Sequence, residues 1–378
     1  MVTRIRIGLI YLFDKHWLGG LYYAQNLVYA LGTLDDDKRP EIDVYCYTDE
    51  AYHELKKNTG YPYLNKHIIH NVDWKRKLKN ILFLISRRWA YSIDLFEIMP
   101  EDQVVFPFNW GSHVKKLIHW VPDFQDKYYP HYFSKIDRYK REQSIKQTCK
   151  RGIPIVFSSN DCLNDFKKFY PDYTGHPTHV VHFAVHQPDF SQLHIENIKV
   201  QFHINSDYLF CANQFWEHKN HLSLFKAFKK AVDNGLPLQL VCTGNFEGSR
   251  NPQYIEEIKK YIIDNHLENR ILLLGVIDKL EMLCLMKHSH AVVQPSLFEG
   301  WNTTVEDCKC MNKFLFLSDL NVHREQINRN VCFFNPSDID DLAEKLLSVT
   351  PVEQPVDYSQ NIRDFALNFY SVIKNHPC

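Results

Sequence analysis

The feature that most constrains the fold is an alternation of short apolar strands with helical stretches, which the chain repeats in two series. In the first series, strand-like runs are predicted at residues 4–13, 42–48, 104–108, 116–121, 153–159 and 179–185. Strands that are separated by helices pair in a mostly parallel sheet, because each crossover helix returns the chain to the same end. The first half of the chain therefore predicts an α/β domain.

The second series begins after residues 187–205, where the alternation weakens and where we place the interdomain linker. Its strands are predicted at 208–212, 238–243, 271–274, 291–294, 314–318 and 331–334, and its helices at 220–232, 253–265 and 279–288. Two such series predict two Rossmann-like domains, residues 1–190 and 200–360, with ligands at the carboxyl ends of the strands.

Composition limits which binding partners and which cellular compartment the sequence predicts. The chain has 378 residues, enough for two domains, and its 45% hydrophobic and 24% charged residues are typical of a globular protein. A net charge of −1 argues against attraction to nucleic acid by the field of the whole protein. The ten cysteines lie mostly in apolar runs and form no Cys-x-x-Cys pair, which predicts reduced, buried thiols and a cytoplasmic protein.

A basic amphipathic segment lies at residues 74–89. Lysines and arginines bracket the apolar run 81–85, and no acidic residue lies among them. Such a segment either makes peripheral contact with an anionic membrane surface or forms a solvated helix over the N-terminal sheet, and the sequence leaves both open. No apolar run is long enough to span a bilayer.

The residues most suggestive of chemistry follow the predicted strand 291–294. Pro295 and Ser296 end that strand, and a polar loop follows. Thr303 and Glu306 have the spacing of a capping box, which predicts that a helix starts at Thr303. The unpaired N–H groups of such a helix start attract anions.

Carboxylates flank this helix start, Glu299 before the loop and Asp307 in the first turns of the helix. Backbone donors at Asn302 and Thr304 suit a phosphate and the carboxylates suit sugar hydroxyls, a combination that suits a nucleotide-sugar. Spacing alone leaves a plainer alternative open. Acidic residues near a helix start are ordinary partners of the helix dipole, and Glu306 is then only a cap.

The segment Glu-Gly-Trp-Asn-Thr-Thr-Val-Glu-Asp, which runs from Glu299 to Asp307, resembles the glutamate-x7-glutamate signature of glycosyltransferase family 4. That family consists of retaining sugar transferases with the GT-B fold, α/β proteins whose two Rossmann-like domains face each other across a cleft. The resemblance implies that Glu299 positions sugar hydroxyls and that Asp307, in the place of the usual glutamate, binds the donor ribose. Glu306 is the alternative ribose ligand. A last helix, within residues 361–378, is expected to pack back on the first domain.

A second candidate segment follows the predicted strand 208–212. Lys219 precedes a helix for which Asn220 is the predicted N-cap, so that an ammonium and a helix start converge on a point suited to a diphosphate. A solvated surface lysine is the plainer alternative. The segment Asn-Gln-Phe-Trp-x-His-Lys-Asn-His resembles the same branch of family 4, which implies that Lys219 contacts the donor diphosphate. Gln214 stands where the family commonly has arginine, and a protonated His218 is expected to supply part of the missing charge.

Other candidate site residues come mainly from the resemblance. Gly19 and Gly20 follow the first strand, where the family places a glycine pair near the donor phosphates, although the pattern alone predicts a simple turn. Gly244 and Val276 end strands of the second series, where the main chain of the family approaches the nucleotide. His119 lies in the segment that faces the sugar in the family, whereas a lone strand histidine is usually structural.

These residues together predict a retaining glycosyltransferase. It is expected to move a hexose, with mannose narrowly preferred, from a GDP-sugar or UDP-sugar to a glycan or lipid-linked acceptor. No metal and no cofactor is expected, because the GT-B enzymes that the chain resembles need none. The alternative is a nucleotide-sugar-binding or scaffolding protein without turnover, which Gln214, Pro122 and Asp307 favour as departures from the family pattern. A nicotinamide-dependent dehydrogenase is disfavoured, because the Gly-x-Gly-x-x-Gly fingerprint is missing.

Overall fold

The computed structural model describes residues 4–12, 18–69, 103–107, 116–246 and 251–375, so that the basic segment 74–89 lies outside the described residues. The chain divides into two compact units, one formed by Met1–His186 with Ser359–Cys378 and the other by Gln187–Tyr358. Both units contain parallel sheets with helices between the strands, which confirms the α/β class predicted from the sequence.

The described strands of the first unit form two parallel sheets, with the orders β3-β2-β1-β4 and β5-β6-β7. Their bounds are β1 Arg6–Ile10, β2 Glu41–Cys46, β3 Leu64–Ile68, β4 Val104–Phe106, β5 His119–Val121, β6 Ile155–Phe157 and β7 Thr178–Val180. The central strands β1 and β2 are buried on both faces except at their first residues, as expected for parallel strands covered by helices on each side.

Three of the described helices of the first unit begin at a side-chain cap. The helices of this unit that precede His186 have the bounds α1 Leu18–Gly32, α2 Asp49–Thr59, α3 Gln125–Tyr128, α4 Lys135–Lys150 and α5 Asn160–Phe169. The hydroxyls of Thr48, Ser134 and Ser159 each accept a backbone N–H of the first turn that follows. Such caps satisfy donors that the helix itself leaves unpaired.

The second unit contains one six-stranded parallel sheet with the order β10-β9-β8-β11-β12-β13. Its strands are β8 Tyr208–Ala212, β9 Gln239–Thr243, β10 Ile271–Leu273, β11 Ala291–Gln294, β12 Leu315–Ser318 and β13 Val331–Phe334. Its helices are α6 Ile195–Gln201, α7 His221–Asp233, α8 Pro252–Asp264, α9 Lys279–His288, α10 Thr303–Met311, α11 Asn321–Gln326 and α12 Ile339–Ser348.

The core of the second unit lies on both faces of this sheet. Leu209 and Cys211 of β8 belong to one apolar cluster, and the alternate residues Tyr208 and Phe210 belong to another. Ile198 of α6 packs in the second cluster, so that α6 belongs to the second unit.

The last helix, α13 Ser359–Lys374, belongs to the first unit. Its Phe365 and Phe369 are fully buried, and their ring centroids lie 5.6 Å from that of Tyr23 and 4.9 Å from that of Phe106. In the part of the chain that the structure describes, every helix is too short or too polar to cross a membrane.

Candidate functional site

The order of the second sheet places the ends of β8 and β11 side by side. The chain leads from β8 outward to β9 and β10, whereas it leads from β11 in the opposite direction to β12 and β13. Such a switch point leaves a crevice beyond the carboxyl ends of the two neighbouring strands. The loops that follow these strands, residues 213–220 and 295–302, therefore start at the same edge of the sheet.

Lys219 from the first loop and Glu299 from the second form an ion pair at this edge. The Lys219 Nζ lies 2.6 Å from the Glu299 Oε1, and the side chains are only 15% and 8% exposed. The same Oε1 accepts a hydrogen bond from Asn302 Nδ2 at 3.0 Å. Three of the residues singled out from the sequence thus meet, and charge-assisted bonds of this kind fix the carboxylate in place.

Asn220 ties the two loops together. Its backbone adopts a left-handed conformation with φ of 60°, which asparagine tolerates better than most residues. Its Nδ2 donates to the carbonyl oxygens of Pro295 at 3.1 Å and Pro336 at 3.0 Å. Asn220 is the N-cap residue of α7, as predicted, but its side chain makes no capping bond and is held by the neighbouring loops instead. Leu297 N also donates to the His218 carbonyl at 2.8 Å.

Gly244 lies just after β9, against the first loop. A Cβ atom at this position would lie 1.9 Å from the Asn213 carbonyl oxygen, so only glycine permits this close approach of two backbone segments. The Gly244 N–H donates to the Gly275 carbonyl at 2.9 Å, which fixes the next loop as well. A contact of Gly244 with the nucleotide stays a prediction.

Helix α10 begins at Thr303 as predicted, but its N-cap is Asn302. The Asn302 Oδ1 accepts from Val305 N at 3.2 Å. The Thr304 Oγ1 donates to the Ala212 carbonyl at 3.1 Å, which anchors the helix start to the end of β8. The N–H groups of Thr303 and Thr304 have no acceptor within an α-helix, and they are the donors that suit an anion.

Glu306 does not close the predicted capping box. Its buried carboxylate accepts hydrogen bonds from Lys309 Nζ at 2.9 Å, from Gln326 Nε2 at 2.8 Å and from the Tyr358 hydroxyl. The ribose of a donor could bind the Glu306 carboxylate only by displacing these hydrogen-bond donors. The network therefore favours Asp307 over Glu306 as the candidate for the donor ribose.

Asp307, the next residue, has different surroundings. Gln187 Nε2 donates to its backbone carbonyl at 2.9 Å and lies 3.4 Å from its Oδ1. Burial raises the pKa of Asp307 to about 6, while the nearby Lys279 ammonium opposes the rise. Burial in turn lowers the pKa of Lys279.

The raised pKa of Asp307 predicts a pH-dependent stability difference for Asp307→Asn. Its ordinary value is 3.8, so both states are protonated in strong acid and the carboxyl then contributes no pH dependence. Between about pH 4 and pH 6 the unfolded chain loses this proton while the folded wild type keeps it, so the wild type loses about 3 kcal/mol of stability. We therefore expect the variant to gain about 3 kcal/mol on the wild type between pH 2 and pH 7, with no further gain at higher pH.

Urea unfolding of both proteins at several pH values checks this expectation. Asp264→Asn, at an exposed aspartate paired with Lys260 on α8, is the control and should show a far smaller change with pH. A stability difference for Asp307→Asn that stays constant over this range would contradict the raised pKa.

Three further predicted residues surround the first loop and the sheet edge. The Gln214 carbonyl accepts from Trp216 N at 2.8 Å, and its side chain is partly exposed. His218 is buried, whereas Val276 is 70% exposed just beyond β10. Their contacts with a donor stay predictions.

The first unit holds the remaining candidates. Gly19 and Gly20 lie in the first turn of α1, so the simple turn that the pattern predicts there was wrong. The first turn of a helix tolerates glycine. An added Cβ at Gly19 would meet no atom within 4 Å. His119 is buried on β5, its Nδ1 lies 2.8 Å from Thr148 Oγ1, and burial lowers its pKa to about 4. The imidazole is therefore neutral near pH 7.

Sequence reasoning missed the buried supports of the site. Gln326 Nε2 donates to the Asn302 carbonyl at 2.8 Å, and Gln326 Oε1 accepts from Asn302 N at 3.3 Å. His323, on the same helix, is fully buried. Both follow β12, the neighbour of β11, so the rule that sites gather at the carboxyl ends of parallel strands would have pointed to them. Within the described residues, no cluster of histidine, cysteine and acidic side chains could hold a metal ion.

Comparison with known proteins adds to this geometry. Residues 195–364 match the family model described as glycosyl transferases group 1. This part of the chain is similar to glycosyltransferase group 1 domains. It contains both loops of the candidate site, including Lys219 and Glu299.

Individual relatives agree with the match. The O-antigen chain mannosyltransferase RfbU of Salmonella typhimurium is 23% identical over 273 residues, which cover 72% of this chain and 71% of RfbU. A glycosyltransferase from Rickettsia africae has 14% identity and a TM-score of 0.59, with 99% of this chain and 94% of that chain covered. Anabaena HepE, solved with UDP and glucose, has 13% identity and a TM-score of 0.60, with 99% and 95% covered. The fold is GT-B, as predicted.

Proposed function

We propose that this protein is a retaining, metal-independent hexosyltransferase of glycosyltransferase family 4. It moves a hexose, with mannose narrowly preferred, from a GDP-sugar or UDP-sugar to a glycan or lipid-linked glycan acceptor. The observation that carries the proposal is the contact of Lys219, Glu299 and Asn302 at the switch point of the sheet. It joins a cation suited to a diphosphate with a carboxylate suited to sugar hydroxyls. The likeness to RfbU supports mannose, and that to HepE supports a uridine donor.

In the proposed reaction, the bond between the sugar C1 and the donor phosphate oxygen breaks while C1 bonds to the acceptor oxygen. Negative charge grows on the departing diphosphate. Lys219 and the N–H groups of Thr303 and Thr304 stabilise that charge. The leaving phosphate oxygen takes the proton of the acceptor hydroxyl on the same face of the ring, so the configuration at C1 is retained.

Glu299 holds the transferred sugar in this scheme. Within the described part of the chain, both hydrogen bonds of its carboxylate reach Oε1. Oε2 is then the atom that accepts a sugar hydroxyl. Because Lys219 and Asn302 fix the carboxylate beforehand, little ordering is needed when the sugar arrives.

The rest of the donor lies toward α9 and α10. Asp307 accepts the ribose hydroxyls, and the main chain around Gly244 and Val276 contacts the base. Gln214 and His218 lie beside the diphosphate. In the first unit, Gly19 and Gly20 are the candidate residues for the donor phosphates, and His119 is the candidate for the sugar. Residues 74–89 make peripheral contact with an anionic membrane, where a lipid-linked acceptor would be found.

The test is a panel of nucleoside diphosphates and their sugars, added to the full-length protein. A donor that binds the folded state at a hundred times its Kd should stabilise it by about 2.7 kcal/mol and raise its melting temperature. Turnover should release the nucleoside diphosphate by transfer or slow hydrolysis. Binding without turnover, whatever acceptor is supplied, would instead favour a nucleotide-sugar-binding protein. No response to any donor would overturn the proposal.

A further inference from the structure

His323 carries a buried nitrogen that the fold leaves without a partner. Its Nδ1 lies 2.8 Å from the Ser318 carbonyl oxygen, so Nδ1 carries the hydrogen and Nε2 is a bare acceptor. This Nε2 is buried and has no hydrogen-bond partner within the described part of the chain. A buried unsatisfied group destabilises the fold, so its presence calls for an explanation.

His323 lies close to the ion pair of the candidate site. Gln326 follows it by one helical turn, on the same face of α11, and binds Asn302, which in turn binds Glu299. The charged groups that act on His323 are Glu299 from the loop after β11, Lys219 from the loop after β8 and Asp319 at the end of β12.

In the absence of ligand, these surroundings keep the imidazole neutral. Burial lowers the pKa of His323 more than the nearby Glu299 raises it. Glu299 is already paired with Lys219 at 2.6 Å, and Asp319 is paired with Arg324 at 2.6 Å. Neither carboxylate therefore presents an uncompensated charge to the ring.

A nucleoside diphosphate changes this balance. It brings several negative charges to Lys219, the cation that now neutralises Glu299. Lys309, in the last turn of α10, is bound to Glu306, Lys279 acts on Asp307, and Gln214 contributes no charge. The diphosphate therefore competes with Glu299 for Lys219, and Glu299 must share or lose its ammonium partner.

We infer that His323 is a positioning residue that takes up a proton at Nε2 when a nucleoside diphosphate binds, and then replaces Lys219 as the cationic partner of Glu299. The inference rests on the proposed function and adds to it. The proton comes from the solvent, and no other covalent bond changes. The imidazolium holds Glu299 in place for the sugar, while Lys219 turns to the diphosphate. Because the two binding events are linked, nucleotide affinity should fall as the pH rises.

Calorimetric titration of UDP and GDP into the full-length protein tests this in phosphate and in Tris at pH 7, since these buffers differ in ionisation enthalpy. The wild type should take up roughly one proton for each nucleotide bound. His323→Gln keeps an amide that can reach Ser318, and it should bind about tenfold more weakly without proton uptake. His290→Gln, just before the amino end of β11, is the control and should behave like the wild type.

Each other outcome overturns the inference. Binding by the wild type without proton uptake would do so, as would unchanged uptake in His323→Gln. Uptake that is lost in Asp307→Asn but kept in His323→Gln would assign the proton to Asp307. Absence of any nucleotide binding by the wild type would instead overturn the proposed function itself. Should His323→Gln fail to fold, ¹⁵N NMR of the wild-type histidine rings must show one bare Nε2 becoming protonated on nucleotide addition.

Discussion

Replacing Glu299 by glutamine should lower kcat for sugar transfer by about a hundredfold to a thousandfold, the range seen when one preorganised electrostatic group is removed from a transition state. Glutamine keeps an oxygen that can accept from Lys219 Nζ and Asn302 Nδ2, so the loop should stay in place. What it loses is the negative charge toward the sugar. Nucleotide affinity should therefore change far less than kcat.

Lys219→Met provides the complementary variant. It removes the ammonium that faces the diphosphate, so both nucleotide affinity and kcat should fall. Lys229→Met is the matched control, because Lys229 pairs with Asp233 on the surface of α7, away from the site. Initial rates and melting temperatures of the variants separate chemistry from folding. Full activity of folded Glu299→Gln or Lys219→Met would contradict the assigned role.

The local parts of this site could be predicted from the sequence. Strand β11 and the start of α10 at Thr303 follow from an apolar run and a polar helix start, which are short-range signals. The cap was misassigned by one residue, because asparagine and threonine both cap helices well and stand side by side at 302 and 303. The three-residue spacing between Thr303 and Glu306 then favoured threonine, whereas the cap is Asn302.

The long-range parts could not be predicted in the same way. Gln326 reaches Asn302 across 24 residues and Tyr358 reaches Glu306 across 52, and no periodicity encodes such contacts. They depend on which strands are neighbours in the finished sheet. The paired acids illustrate the consequence, since Glu306 is saturated by donors whereas Asp307 is buried with a raised pKa. Adjacent carboxylates of similar sequence context thus acquire different chemistry.

The second large effect is expected for Gly244→Ala, which should destabilise the second unit by about 3 kcal/mol. The new methyl group would meet the backbone of Asn213, which cannot move aside as the end of a flexible side chain can. Relief of the clash must displace the loop 213–220. Because that loop carries Lys219, nucleotide affinity should fall together with stability.

Gly235→Ala separates the steric cost from the backbone cost. Gly235 also has a positive φ, of 94°, but a Cβ there would meet no atom within 4 Å. Gly235→Ala should therefore lose only about 1 kcal/mol of folding stability, and its nucleotide affinity should match that of the wild type. Calorimetric melting and nucleotide titration of both variants measure the difference. Equal losses of stability and affinity in the two variants would mean that the loop 213–220 moves to accommodate the methyl group at little cost. The approach of Gly244 to Asn213 would then not fix the position of Lys219.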